Sequence, residues 1–130
     1  MRTLEVRRHT MRRKPGAHLS RGGIELARLV GEGIGPFDLV VTSKIPRAVE
    51  TAVAMGLEVD ETLEELGHLP DDVLSEIEWP TRFADMAKIL ARKGPSARFS
   101  KGQAKLWRSI AAKIPEGGHA LLNTHGGFIE

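Results

Sequence analysis

The stretch Phe37-Asp38-Leu39-Val40-Val41-Thr42 is apolar almost without interruption. A strand with one face in water alternates apolar and polar residues, whereas a continuous run suits a parallel strand covered on both faces. Upstream of it the pattern is helical. Ser20 is a candidate N-cap, Ile24, Ala27, Val30 and Ile34 fall on one face, and Gly31, Gly33, Gly35 and Pro36 end the helix. Downstream, residues 46–55 read as a second helix that stops at Gly56.

Further out, residues 3–6 read as a short strand that runs into a basic loop over 7–18, and residues 57–59 as another short strand. Pro70-Asp71-Asp72 opens a short helix, and Pro80-Thr81 opens one that Gly94-Pro95 closes. Ser100 and Gln103 have capping-box spacing, which predicts a helix starting there and burying Trp107, Ile110, Ala111 and Ile114. His119-Ala120-Leu121-Leu122-Asn123-Thr124 is a last buried strand. Strands alternating with helices predict an α/β fold, a mostly parallel central sheet with helices on both faces. At 130 residues the chain is expected to form a single domain, 1–130.

The composition, 41% hydrophobic and 28% charged, supports a core without staples. There is no cysteine, which excludes a disulfide framework and cysteine-ligated zinc or iron–sulfur sites. No apolar run has the length of a membrane span, and none follows the charged N-terminus as in a signal peptide. A cytoplasmic protein without a membrane partner is expected. Net charge is only +2, but Arg2, Arg7, Arg8, Arg12, Arg13, Lys14 and Arg21 crowd the first part of the chain. A local basic patch suits a small anion better than a nucleic acid, whose readers spread their charge along a face.

In parallel sheets ligands gather at the carboxyl ends of the strands. Arg8 and His9 lie past the first strand, Ser43 and Arg47 past the second, and His125 with Gly126 and Gly127 past the last. Two arginines and two histidines from remote parts of the chain are thus expected at one edge. Arginine holds phosphate oxygens in a bidentate fork. A neutral imidazole can attack phosphorus and split hydrolysis into two easier steps through a phosphohistidine. Neighbouring arginines would keep His9 unprotonated, and His125 would donate to the phosphate. A carboxylic acid must protonate the leaving oxygen and later activate water; Glu64 and Glu65 are the best placed.

These segments resemble the histidine phosphatase superfamily, the phosphoglycerate-mutase-like proteins, with the short phosphatase and phosphohistidine phosphatase branch nearest. The Arg-His signature appears as Val6-Arg7-Arg8-His9-Thr10, and the Leu-Ser/Thr-x-x-Gly helix start as Leu19-Ser20-Arg21-Gly22-Gly23. The second-arginine segment appears as Ser43-Lys44-Ile45-Pro46-Arg47-Ala48-Val49-Glu50-Thr51-Ala52. Leu63-Glu64-Glu65 matches Leu-x-Glu, and Asn123-Thr124-His125-Gly126-Gly127 the second histidine. The blocks occur in family order.

The resemblance implies a phosphoglycerate-mutase-like three-layer sandwich, His9 as phospho-acceptor, Arg8, Arg47 and His125 as the phosphate pocket, and Glu65 as proton donor. It implies no cofactor, no metal, and a small phosphorylated substrate or a phosphoprotein as partner. Thr10 stands where glycine is usual, and Arg12, Arg13, Lys14, Pro15 and Gly16 replace the Ser/Thr and Asn of mutase-type members. Family members continue past the second histidine with a helix and usually a strand, so the C-terminal part of the fold is expected to be missing from this sequence.

The leading expectation is therefore a cofactor-independent phosphomonoesterase or phosphohistidine phosphatase, histidine acid phosphatase-like, with a small lid and an open site. The alternatives are a phosphoglycerate-type mutase and a non-catalytic phosphate- or phosphopeptide-binding module; a nucleic-acid-binding loop is a third. Gly31-x-Gly33-x-Gly35 precedes a strand rather than following one, so it reads as a helix terminator and not a dinucleotide loop. Trp79 and Trp107 read as core or lid packing, and Lys14, Arg12 and Arg13 as possible contacts to a substrate carboxylate or second phosphate.

Overall fold

The computed structural model describes residues 1–129; Glu130 lies outside the described residues. In chain order the elements are β1 (Thr3–Arg8), α1 (Arg21–Gly31), β2 (Leu39–Ser43), α2 (Pro46–Ala54), β3 (Glu61–Leu63), a 3-10 turn (Glu64–Leu66), α3 (Asp71–Leu74), α4 (Phe83–Ala91), α5 (Pro95–Ala112) and β4 (His119–Thr124). The four strands form one sheet in the order β1-β4-β2-β3, with every pair parallel.

The last strand in sequence thus sits in the interior, between β1 and β2. From Ala120 to Thr124 all its residues are buried. Alternation along β2 and β4 sends neighbours to opposite faces. Val40 and Leu121 pack with Ala27 of α1 and Ala52 of α2. Val41 and Leu122 pack with Ile110 of α5 and with Leu66. The sheet is therefore covered on both sides, a three-layer arrangement as expected. A smaller apolar cluster, Val73, Ile77, Met86 and Ile89, joins α3 and α4 beside α5. No helix among the described residues is long and apolar enough to cross a membrane.

Two expected elements shift. Residues 57–59 form no strand; the third strand is Glu61–Leu63, paired with Val41, Thr42 and Ser43. The Asp60 carboxylate accepts from the Val40 N–H and the Asp60 N–H donates to the Val40 carbonyl, which starts the pairing there. Likewise α5 begins at Pro95, not at Ser100. Its first turn is capped from a distance by Glu76, whose carboxylate accepts from the Ser96 N–H at 2.7 Å and is held below its ordinary pKa first by that bond. Gln103 does not cap the helix. It donates to the Glu65 carbonyl and accepts from the Trp107 indole N–H, tying the 3-10 turn to α5.

The loop after β1 is held close to α1. Ser20 caps α1 by accepting from the Gly23 N–H, and the Ser20 N–H donates to the Met11 carbonyl. A Cβ at Gly23 would land on that carbonyl. Gly23→Ala should therefore destabilise the fold by about 1–3 kcal/mol through overpacking, measured by chemical denaturation. An unchanged midpoint would show that the loop backbone yields freely.

Candidate active site

Parallel pairing brings the strand ends to one edge: Arg8 pairs with Thr124, and Thr42 with Asn123. His9 continues the β1 ladder, its N–H donating to the Thr124 carbonyl at 3.0 Å. Its Nδ1 lies 2.6 Å from the Thr10 carbonyl, an acceptor only, so the proton is assigned to Nδ1. Nε2 then carries the lone pair, and it accepts from Arg47 Nε at 3.1 Å. Burial pushes the pKa of His9 down; the Thr10 carbonyl opposes this, and Arg47, Arg8 and Arg12 reinforce it. The ring is half-buried and neutral at physiological pH, which is the nucleophilic form.

Arg47 is the second residue of α2, whose Pro46 starts the helix without needing an amide donor. Its N–H donates to the Ala17 carbonyl and its carbonyl accepts from the Thr51 hydroxyl. Thr51 Oγ1 in turn accepts from the Thr10 N–H, and the Thr10 hydroxyl donates to the Gly23 carbonyl. Thr10 thus occupies the usual glycine position without a left-handed backbone, since among the described non-glycine residues only Lys93 has positive φ. Its hydroxyl links the signature loop to α1. Desolvation first, then Arg12 and Arg8, lowers the pKa of Arg47.

His125 is 5% exposed, with its ring centroid 5.1 Å from that of His9 and the planes at 58°. Ser43 Oγ lies 2.6 Å from His125 Nε2 and accepts from the Ile45 N–H. His125 Nδ1 has no hydrogen-bond partner among the described residues. Burial first, then the charges of His9, Arg47, His68 and Arg8, lowers its pKa to about 4. Exposed Arg8 completes the group: a Cβ at Gly126 would lie 3.4 Å from its Cζ, so the glycine lets the guanidinium approach the turn after β4.

Arg8, His9, Arg47 and His125 are therefore brought together as expected. Glu64 and Glu65 are not joined to them by any hydrogen bond. Both are exposed on the 3-10 turn, which the Thr124 hydroxyl ties to the end of β4 through the Leu66 carbonyl. Three contributors escaped the sequence reading: Ser43 as the partner of His125, Thr51 as the bridge between loop and helix, and His68 as a neighbouring charge. Ser43 and Thr51 stand in the second-arginine segment, but only the folded geometry reveals their partners. Trp79, read as packing, is 51% exposed and leans toward Gly127, whose added Cβ would lie 3.6 Å from its ring.

The model of the histidine phosphatase superfamily (branch 1) matches residues 2–130. The chain belongs to this superfamily. No curated protein gives a significant match. Among solved structures, phosphoserine phosphatase from Entamoeba histolytica, in complex with 3-phosphoglyceric acid, superposes with a TM-score of 0.69 at 19% identity, covering 97% of this chain and 75% of that one. Phosphoglycerate mutase from Bacillus anthracis str. Sterne gives 0.69 at 20% identity, with the same coverage. A mycobacterial glucosyl-3-phosphoglycerate phosphatase, in complex with inorganic phosphate, gives 0.63 at 27% identity, covering 99% of this chain and 75% of that one. The superfamily fold is thus shared with both phosphatases and a mutase.

The lowered histidine pKa values set a sign for pH effects. Between the ordinary 6.5 and about 4, the unfolded chain binds a proton at His125 that the folded chain refuses. Stability from this group is therefore full above about 6.5 and declines as pH falls toward about 4. NMR titration of the ring protons should show His125 taking up its proton near pH 4, and His9 below the ordinary histidine value. Ordinary titration of both rings would overturn this electrostatic description.

Proposed function

We propose that the protein is a cofactor-independent phosphatase, hydrolysing a phosphomonoester or phosphohistidine through a phosphohistidine on His9. The observation that carries the proposal is the orientation of His9. With Nδ1 held by the Thr10 carbonyl, the lone pair of Nε2 faces the Arg47 guanidinium. Superfamily membership supports the reading, as does the resemblance at 27% identity to a phosphatase in complex with inorganic phosphate.

In the proposed reaction, phosphate oxygens replace His9 Nε2 as the partner of Arg47, and Arg8 binds from the exposed side. His125 offers Nδ1, because Ser43 already holds Nε2. A neutral imidazole has one N–H, so donation from Nδ1 requires Nε2 to accept from the Ser43 hydroxyl. His9 Nε2 attacks phosphorus, the P–N bond forms as the ester P–O bond breaks, and the leaving oxygen takes a proton from Glu65. Water then attacks phosphorus, Glu65 takes its proton, the P–N bond breaks and phosphate leaves. The Thr10 carbonyl stabilises the positive charge on the ring throughout the first step.

Hydrolysis is favoured over a mutase cycle by the openness of the site. A mutase must keep its intermediate away from water, whereas here Arg8 is exposed and Glu65 stands on an exposed turn. p-Nitrophenyl phosphate hydrolysis without bisphosphoglycerate-dependent isomerisation is the expected outcome.

His9→Ala should lose at least ~10³-fold in kcat, as other lost nucleophiles do, and should fail to trap labelled phosphate that the wild type traps. Arg47→Lys should lower kcat/KM at least about tenfold, since the bidentate fork is gone. Normal turnover in either variant would sink the mechanism. The role of Glu65 has a separate signature. Glu65→Gln should slow alkyl phosphates, whose leaving oxygen needs a proton, far more than p-nitrophenyl phosphate, whose leaving group is stable as an anion. Equal losses on both would remove Glu65 as the acid.

A further inference from the structure

The segment after β3 crosses the edge at which the strands end. Its Leu66 carbonyl accepts from the Thr124 hydroxyl. Gly67 is buried on Ile45, since a Cβ there would lie 3.3 Å from Ile45 Cγ1 and Cδ1. The Ile45 N–H in turn donates to Ser43, the partner of His125. Leu69 covers the turn after β4, where a Cβ at Gly127 would come within 2.7 Å of its Cδ1. His68 stands between these anchors, exposed, and among the described residues no carboxylate pairs with it. After burial, the charges that lower the pKa of His125 are those of His9, Arg47, His68 and Arg8, in that order. Such effects fall with distance, so packing and electrostatics agree in setting His68 beside the pocket.

The groups assigned to the phosphate so far leave one side of the pocket without positive charge. Arg8 arrives from β1 and lies against Gly126, and Arg47 arrives on α2. His125 follows β4 and, kept neutral, offers one N–H. The segment after β3 brings the Glu64 and Glu65 carboxylates, which when ionised repel a phosphate carrying close to two negative charges. His68 is the one group of that segment able to carry positive charge. We propose that His68 is a further phosphate-binding residue, its ring donating an N–H to a phosphate oxygen from the β3 side of the pocket. It takes a proton from solvent as the anion arrives. A nearby anion favours imidazolium, and an exposed residue escapes the desolvation cost that holds His125 neutral. The proposal rests on the phosphatase reading for placing phosphate at His9, and its binding step is measurable without turnover.

Inorganic phosphate is the probe. Calorimetry at neutral pH should show His68→Ala binding it about tenfold more weakly than the wild type, the worth of one charge-assisted hydrogen bond. Adding phosphate to the wild type should also move the His68 ring nitrogen resonances toward imidazolium values, which a merely structural side chain would not do. Unchanged affinity in His68→Ala, or resonances that stay in place, would overturn the proposal. So would a variant that keeps its phosphate affinity but slows alkyl phosphates selectively, because that pattern assigns His68 to proton transfer. p-Nitrophenyl phosphate hydrolysis, run alongside, separates the two readings. Turnover with a silent His68 removes this contact alone, and phosphate binding through His68 without turnover removes the phosphatase alone. A wild type that binds no phosphate removes both.

Discussion

The insertion of β4 between β1 and β2 is the constraint on which the site depends. β4 runs parallel to both neighbours, so three strands end at the same edge with Arg8, Ser43 and Thr124 within one register step of each other. The insertion also buries the end of β4, where polar groups need partners. Asn123 donates to the Ala48 carbonyl of α2, and Thr124 donates to the Leu66 carbonyl of the 3-10 turn. These two bonds lock α2, and so Arg47, on one face of the sheet, and the turn carrying Glu65 on the other. Core packing and the placement of the chemistry are thus one device.

That device holds together groups that repel. Arg8, Arg12 and Arg47 surround two imidazoles, and the charges together with burial push both histidines and Arg47 away from their protonated forms. Arg8 and Arg12 stay exposed and Arg47 is half-buried, so the clustering acts mainly on the two imidazoles, for which burial opposes the charged form. Perturbed groups clustered in a cleft make this edge the candidate functional site. In the proposed reaction the negative charge of the phosphate offsets this repulsion.

How much of this was legible in the sequence follows from where each signal is local. β2 and β4 were readable because a doubly covered strand leaves an apolar run, and α1 because its face repeats and Ser20 caps it. β3 was misplaced because its three residues are partly exposed and are defined by pairing with β2 rather than by pattern. The start of α5 was misplaced because its cap is Glu76, nineteen residues before Pro95 and invisible to a local motif. The four site residues were readable from strand ends and motif order together. The partnership of Ser43 with His125 spans 82 residues, and a single sequence carries no local trace of it.

The hydrogen bond from Arg47 to His9 Nε2 reconciles the charged site with a usable nucleophile. The guanidinium donates to the lone pair that attacks phosphorus in the proposed reaction. A phosphate offers Arg47 better acceptors, because its oxygens are charged and match the planar fork, whereas Nε2 is a single neutral acceptor. In the proposed reaction, binding therefore unmasks Nε2 at the moment phosphorus arrives beside it. The Thr10 carbonyl holds Nδ1 meanwhile, so the ring need not rotate. In that reaction Arg47 exchanges one neutral acceptor for charged phosphate oxygens, and replacing it with lysine removes the planar fork on which the exchange depends.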